Sequence, residues 1–348
     1  MRAVRIPAFG GPDVLQIHDV PRPEPGPDEV LIKVAYCGVN PVDRSLIAGR
    51  WTWRQLPHTP GSEVSGTIES VGPLVHHVKP GDNVALALRL FCGQCHYCKL
   101  GREEACSFDP RSATAPYAYG IMTEGGYADY IVAPGRNAIA VPDGVALEAA
   151  SCAALDGLTA WHMIDRARVA AGDRVLVMGA SGGLGLFFIQ MARMRGAVVY
   201  AVTSQMNHAE RMKELGASEV IDRTSQDISR TARELTGGRG VDVALDPIGA
   251  GTWEASIGAL APLGRYATCG ILTGPQVTLK LPPFYAQQQE IVGSTGGNRA
   301  DLSHVLDALA SGRVTATVWK QFPLEEARYA LDALNAKDRL GKVLLKVS

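Results

Sequence analysis

Val175–Gly185 reads VLVMGASGGLG. The apolar run Val175–Met178 reads as a buried strand. Gly179, Gly182, Gly183 and Gly185 then break the run, and Leu186–Ala192 reads as a buried helix. Strand, glycine turn and helix in that order place a pyrophosphate on the N–H groups of a helix N-terminus. Glycines open the φ range there and let phosphate oxygens approach the backbone. The turn therefore marks Gly179, Ser181, Gly182, Gly183, Leu184 and Gly185 as cofactor-binding candidates. Such a turn can also serve packing alone; the strand before it and the helix after it point to a dinucleotide.

Working outward, the chain alternates strand and helix from Gly172 onward. Strands are expected at Val175–Met178, Val198–Val202, Glu219–Ile221, Val241–Leu245, Tyr266–Cys269 and Ile291–Ser294. Helices are expected at Gly183–Arg195, Ala209–Leu215, Ile228–Leu235 and Trp253–Leu260. That pattern makes a complete doubly wound, α/β dinucleotide-binding domain, placed at residues 155–296. Before it, Met1–Ile6, Val30–Val39, Val64–Val71, Asn83–Leu88, Gly125–Val132 and Ala138–Val141 read as strands between Gly/Pro turns. Leu147–Val169 reads as a helix broken near Asp156-Gly157. Helices at Asp301–Ser311 and Leu324–Asn335 and a strand at Lys342–Val347 close the chain.

The second strong signal is Cys92, Cys95, Cys98 and Cys106, spaced C-x2-C-x2-C-x7-C within the lobe 91–108. Four clustered thiols are what a tetrahedral structural zinc needs, one ion per chain, with no position left open for substrate. An iron–sulfur or redox cluster is the alternative use of such thiols. A formal net charge of −1 argues against a nucleic-acid or anionic-membrane partner. No run of 18 apolar residues occurs, and MRAVRIPAFG lacks an apolar signal core, so a cytoplasmic protein is expected.

With these two features in place, the chain resembles the medium-chain dehydrogenase/reductase superfamily, specifically the zinc-containing alcohol dehydrogenases. The likeness runs through GPDEVLIKV, PGSEVSG, VKPGDNVAL, the cysteine lobe, GGYADY, GLTAW, the glycine turn and GKVLLKV. It implies a GroES-like, β-rich catalytic domain formed by residues 1–154 and 297–348, and a dimer or tetramer. Zinc-dependent members hold a catalytic zinc by a Cys, a His and a third ligand. Here Asn40, Ser62 and Leu155 stand at those positions, and Val42 replaces the hydroxyl that starts the proton relay. An amide and a hydroxyl are poor zinc ligands beside thiolate and imidazole. A different site from Cys37, Glu63 and Asp156 is the alternative. GVNPVD, GSE and the long glycine turn are similar to the quinone oxidoreductase branch, which works without catalytic zinc.

NAD-specific sites carry an acid at the end of the second strand. Here Thr203 and Ser204 occupy that end, and His208, Arg211 and Arg223 can face a 2′-phosphate, which favours NADP(H) over NAD(H). By family position, Thr159, Gly270, Ile271, Ser294 and Thr295 surround the nicotinamide, and Lys342 approaches the pyrophosphate. Asn40 is the expected donor to a developing oxyanion, with Thr159 assisting. Tyr36, Trp51, His58, Tyr117, Tyr285 and Asp156 are further cleft candidates. The expected activity is NADP(H)-dependent hydride transfer to a conjugated ketone, enone or quinone. A zinc alcohol dehydrogenase with atypical ligands and a silent nucleotide-binding protein are the competing readings.

Overall fold

The computed structural model describes residues 1–106 and 118–348, so Tyr117 lies outside the described residues. The chain divides into two compact units, Met1–Leu158 with Gly297–Ser348, and Thr159–Gly296.

The Thr159–Gly296 unit is built on a six-stranded, all-parallel sheet. Its strand order is Ala217–Asp222, Val198–Thr203, Arg174–Val177, Val241–Asp246, Leu260–Thr268 and Glu290–Gly293. Counted within the unit this is 3-2-1-4-5-6, with the order reversing beside Arg174–Val177, where ligands of such sheets bind. Leu176, Tyr200, Val202, Ala244, Leu260 and Tyr266 form the core with Trp253, whose ring meets Tyr266 edge-on at 4.9 Å. The fifth strand starts at Leu260, well before the expected Tyr266. A register shift lets it begin irregularly, and Leu263 within it has a φ of 64°. The helix before it correspondingly runs Ala250–Ala259.

The other unit is built on a seven-stranded sheet. Along it lie Val318–Pro323, Lys342–Lys346, Glu29–Val39, Glu63–Val71, Asn83–Leu86 and Ala138–Ala140, with Tyr130–Pro134 also paired to Glu29–Val39. The last strand of the chain runs antiparallel to the first long one, with Val343 opposite Val39 and Leu344 opposite Gly38. This register carries Lys342 to Asn40. The expected strand at Gly125–Val132 begins only at Tyr130. Gly125, Gly126 and Tyr127 instead donate to the carbonyls of Thr59, Gly61 and Pro60. The break expected near Asp156-Gly157 is a π-helical turn, Ala153–Gly157, between the helices Leu147–Cys152 and Leu158–Arg166. The strand Val318–Pro323 and the helix Pro41–Ile47 had no clear periodic signal.

Candidate functional site

The four cysteines come together. Their sulfurs all lie within 4.8 Å of one another. Cys92–Cys98 and Cys95–Cys106 are 3.9 Å apart and Cys106–Cys92 3.7 Å. A tetrahedron with Zn–S bonds of about 2.3 Å has sulfurs about 3.8 Å apart, so the cluster fits a structural zinc. The N–H groups of Gln94 and Cys95 point at the Cys92 sulfur, and that of Cys92 at the Cys106 sulfur, which favours thiolates.

The glycine turn has the form a cofactor needs. Gly179 has a φ of 65°, and Gly182 opens the helix Gly183–Met194 without a side-chain cap. A Cβ on Gly185 would lie 2.4 Å from the Gly179 carbonyl oxygen, so only glycine lets the helix start so close to the strand. The N-terminal N–H groups of this helix fit a pyrophosphate. At the end of the second strand Thr203 is buried, and its hydroxyl accepts from the Gln205 N–H at 3.0 Å. The Arg223 N–H bonds the Thr203 carbonyl at 2.9 Å, which sets the exposed Arg223 beside that strand end. Arg211 is paired with Glu214 at 2.8 Å, and His208 contacts Asn207 at 3.2 Å. Gly270 packs on Pro247, where a Cβ would meet the carbonyl at 1.8 Å. Ile271 and Thr295 are exposed, Ser294 donates its N–H to the Thr268 carbonyl at 2.9 Å, and Thr159 is buried.

Lys342, expected at the pyrophosphate, is 3% exposed in the unit formed by both ends of the chain. Its ammonium donates to Asn40 Oδ1 at 2.6 Å and to Asp156 Oδ2 at 3.0 Å, and it contacts Glu63 Oε2 as well. All three donor directions of the ammonium are thereby taken. The Asn40 amide donates to Glu63 Oε2 at 2.8 Å and to the Gly38 carbonyl at 3.3 Å. Both N–H bonds are engaged, and the side chain links Glu63 to Lys342.

The local structure explains the cluster. Glu63 opens the strand Glu63–Val71 opposite Gly38, where an added Cβ would lie 1.9 Å from Glu63 Oε2. Glycine at 38 is therefore what makes room for the carboxylate. The π turn places Asp156 so that its N–H donates to Glu63 Oε1 at 3.0 Å. The Asn40 N–H bonds Asp43 Oδ2 at 2.8 Å, and the Tyr127 hydroxyl donates to the same oxygen at 3.0 Å. Burial pushes Asp43 up to about 6 against these two donors. It pushes Glu63 up to about 7 although the Lys342 charge pulls the other way. Burial works against the Lys342 ammonium, yet Asp156 and Glu63 hold its pKa above the ordinary lysine value.

Sequence reasoning missed this arrangement. The one available signal was a lysine opening the strand Lys342–Lys346 directly before Val343, Leu344 and Leu345, an uncommon place for an ammonium without a partner. The positions compared with catalytic zinc ligands have other occupations. Ser62, fully buried, donates its hydroxyl to the Tyr119 carbonyl at 2.6 Å, and Leu155 offers no ligand atom. Cys37, Glu63 and Asp156 do not form a ligand group; among the described residues the four cysteines alone do. The donor set at Asn40, Ser62 and Leu155 thus does not fit the thiolate-and-imidazole zinc site. His58 serves the scaffold, donating from Nε2 to the Gly120 carbonyl at 2.8 Å and accepting from Arg54 Nε at 3.0 Å.

Family comparisons agree with this organisation. Residues 26–143 match the alcohol dehydrogenase GroES-like domain, and residues 183–311 match the zinc-binding dehydrogenase model. The NAD-dependent alcohol dehydrogenase of Saccharolobus solfataricus is 32% identical, with 99% of each chain covered. The quinone oxidoreductase of Pseudomonas aeruginosa is 29% identical, again with 99% of each chain covered. The structure of a thermostable alcohol dehydrogenase from Pyrobaculum aerophilum superposes with a TM-score of 0.91 at 38% identity, covering 99% of each chain. A β-rich unit with a four-cysteine cluster, a doubly wound unit with a glycine turn, and these matches along the chain show that the protein belongs to the zinc-containing alcohol dehydrogenase family of the medium-chain dehydrogenase/reductase superfamily, an oxidoreductase with quinone oxidoreductases among its relatives.

Proposed function

We propose that the chain is an NADP(H)-dependent reductase of conjugated ketones, enones or quinones that works without a catalytic zinc. The observation that carries this reading is the Lys342 ammonium, bound by Asn40, Asp156 and Glu63 beside the positions where zinc-dependent relatives place ligands. The nicotinamide supplies hydride. The chain's own part is to bind the pyrophosphate at Gly182–Gly185, to hold the 2′-phosphate with Thr203, Ser204 and Arg223, and to orient the acceptor. Thr159 is the remaining candidate donor to a developing oxyanion, since the Asn40 amide is engaged. An enone spreads its charge into an enolate and needs less stabilisation than the alkoxide of a simple ketone, which a metal otherwise stabilises. The cysteine cluster holds one structural zinc.

Arg211 is tied to Glu214 by a salt bridge, whereas Arg223 feels the neighbouring Asp222 carboxylate without a salt bridge to it among the described residues, which makes Arg223 the better phosphate partner. The Saccharolobus relative is named NAD-dependent, so cofactor affinity is the first test. Titration is expected to give tighter binding of NADPH than NADH, and Thr203→Asp is expected to reverse the order through like-charge repulsion. Equal affinities in the unaltered protein contradict the reading. Turnover of NADPH with enones or quinones, against weak oxidation of ethanol, separates it from a conventional zinc alcohol dehydrogenase. No turnover with any acceptor favours a silent nucleotide-binding protein.

Among the described residues the strand Glu290–Gly293 pairs on one side only, and with exposed Ile291, and Leu281 and Tyr285 near it in sequence, it supports a homo-oligomer through strand pairing. Among the described residues no helix is long and apolar enough to cross a membrane. A cytoplasmic location and a small-molecule substrate complete the proposal.

A further inference from the structure

We propose that Lys342 is a built-in cation that closes the buried anionic cluster of the catalytic unit to divalent metal, and that the same oxygens form a latent metal site once its charge is removed. The inference rests on the zinc-free reading above and deepens it. Glu63 Oε2, Asp156 Oδ2 and Asn40 Oδ1 converge on one point, the Lys342 nitrogen, from three separate stretches of chain. Two are carboxylate oxygens and the third an amide oxygen, donors that divalent cations including Zn2+ accept. Ammonium contacts of 2.6 and 3.0 Å are longer than metal–oxygen bonds of about 2.0–2.2 Å, so the oxygens must close in by under about 1 Å around an ion.

The electrostatics set the direction. With Lys342 present, Glu63 and Asp156 face its ammonium at contact distance, and Asp156 also feels the more distant charge of Arg339; without Lys342 the two buried carboxylates keep only that more distant cation. A buried anionic pair of that kind takes up protons or a cation. An ion entering beside an intact ammonium instead meets like-charge repulsion at contact distance. Lys342 is in this sense a positioning residue: it holds the two carboxylates and Asn40 in the geometry of a cation site while filling that site.

The test measures bound metal rather than activity. Purified full-length protein and Lys342→Met are incubated with Co2+ or with Zn2+, freed of loose ions by gel filtration, and analysed for metal per chain and for Co2+ d–d absorption. The unaltered protein is expected to retain one ion, at the cysteines, and Lys342→Met two, with second-site affinity for Co2+ raised by about 100-fold or more. Glu63→Gln added to Lys342→Met is expected to abolish the second ion. If the single variant retains no second ion, the latent site is wrong while the zinc-free reading stands. If the unaltered protein already holds a second ion at this cluster as tightly as the variant does, both readings fall. Should Lys342→Met be recovered only as aggregate, it is refolded with and without Co2+. Ion-dependent recovery that exceeds that of the variant carrying Glu63→Gln as well supports the proposal, because both keep the cysteine site, and equal ion dependence in the two overturns it.

Discussion

The catalytic unit contains two places where anionic ligand atoms converge, and they differ in where the counter-charge comes from. At Cys92, Cys95, Cys98 and Cys106 the ligands come from one short stretch, and sulfurs 3.7–3.9 Å apart frame a space that an ion fits. At Asn40, Glu63 and Asp156 the oxygens come from distant stretches and already surround the Lys342 ammonium. The contrast teaches that ligand chemistry alone does not make a metal site. At the cysteines the fold leaves room for an ion as counter-charge, and at Glu63 and Asp156 it supplies a cation of its own.

The largest effect that can break this comparison is expected at the cysteines. Cys98→Ser should lose the bound zinc and about 5 kcal/mol of stability, roughly 10–20 °C in Tm, with activity per folded molecule retained. Metal analysis together with calorimetry checks it; a variant that keeps both its ion and its Tm makes the cluster a set of ordinary thiols. Next comes Glu63→Ala, which leaves the Lys342 ammonium with one carboxylate fewer in a buried setting. Removing one partner of a buried pair costs about 3–5 kcal/mol, read by denaturant unfolding. A cost below about 1 kcal/mol would mean that the ammonium is not internally compensated as described.

A third measurement sharpens the comparison through pH. Burial raises the Asp43 carboxyl from 3.8 to about 6 in the folded chain. The folded state therefore binds its proton more tightly than the unfolded state does. The resulting stability is fully present below about pH 4 and is lost as pH rises through about 6. Comparing the protein with Asp43→Asn between these limits should show a difference slope worth about 2–3 kcal/mol. Parallel pH profiles would place Asp43 in a wetter environment. The smallest effect is expected from Ser62→Ala. Losing the hydroxyl bond to the Tyr119 carbonyl should cost about 1 kcal/mol and leave metal content unchanged. A fall in bound metal would make Ser62 a ligand after all.

Much of the architecture was legible in local spacing. Apolar runs alternating with helical periodicity identify the six strands of the doubly wound sheet, although Leu260–Thr268 starts earlier than its apolar pattern suggests because a register shift intervenes. The proline-interrupted and strongly polar stretches are harder to read. Pro41–Ile47 is too short for a helical period to stand out, and Val318–Pro323 lacks clean alternation. In the site, Asn40 and Ser62 were visible as departures from a zinc-binding pattern, but their actual partners were not. The side chain of Asn40 meets Lys342 across 302 residues of sequence, and Ser62 meets a backbone carbonyl, which carries no residue signature.

By itself the sequence determined the glycine turn, the C-x2-C-x2-C-x7-C lobe and the loss of thiolate and imidazole at the catalytic zinc positions. Each depends on residue types at short, fixed separations, where backbone geometry alone sets what can meet. Only the tertiary structure decided that Lys342 meets the carboxylates of Glu63 and Asp156. That outcome follows from the pairing of Val343 with Val39, from a π turn at Ala153–Gly157 that presents Asp156, and from the space left by Gly38. A shift of one residue in that pairing would turn the ammonium to the opposite face of the sheet.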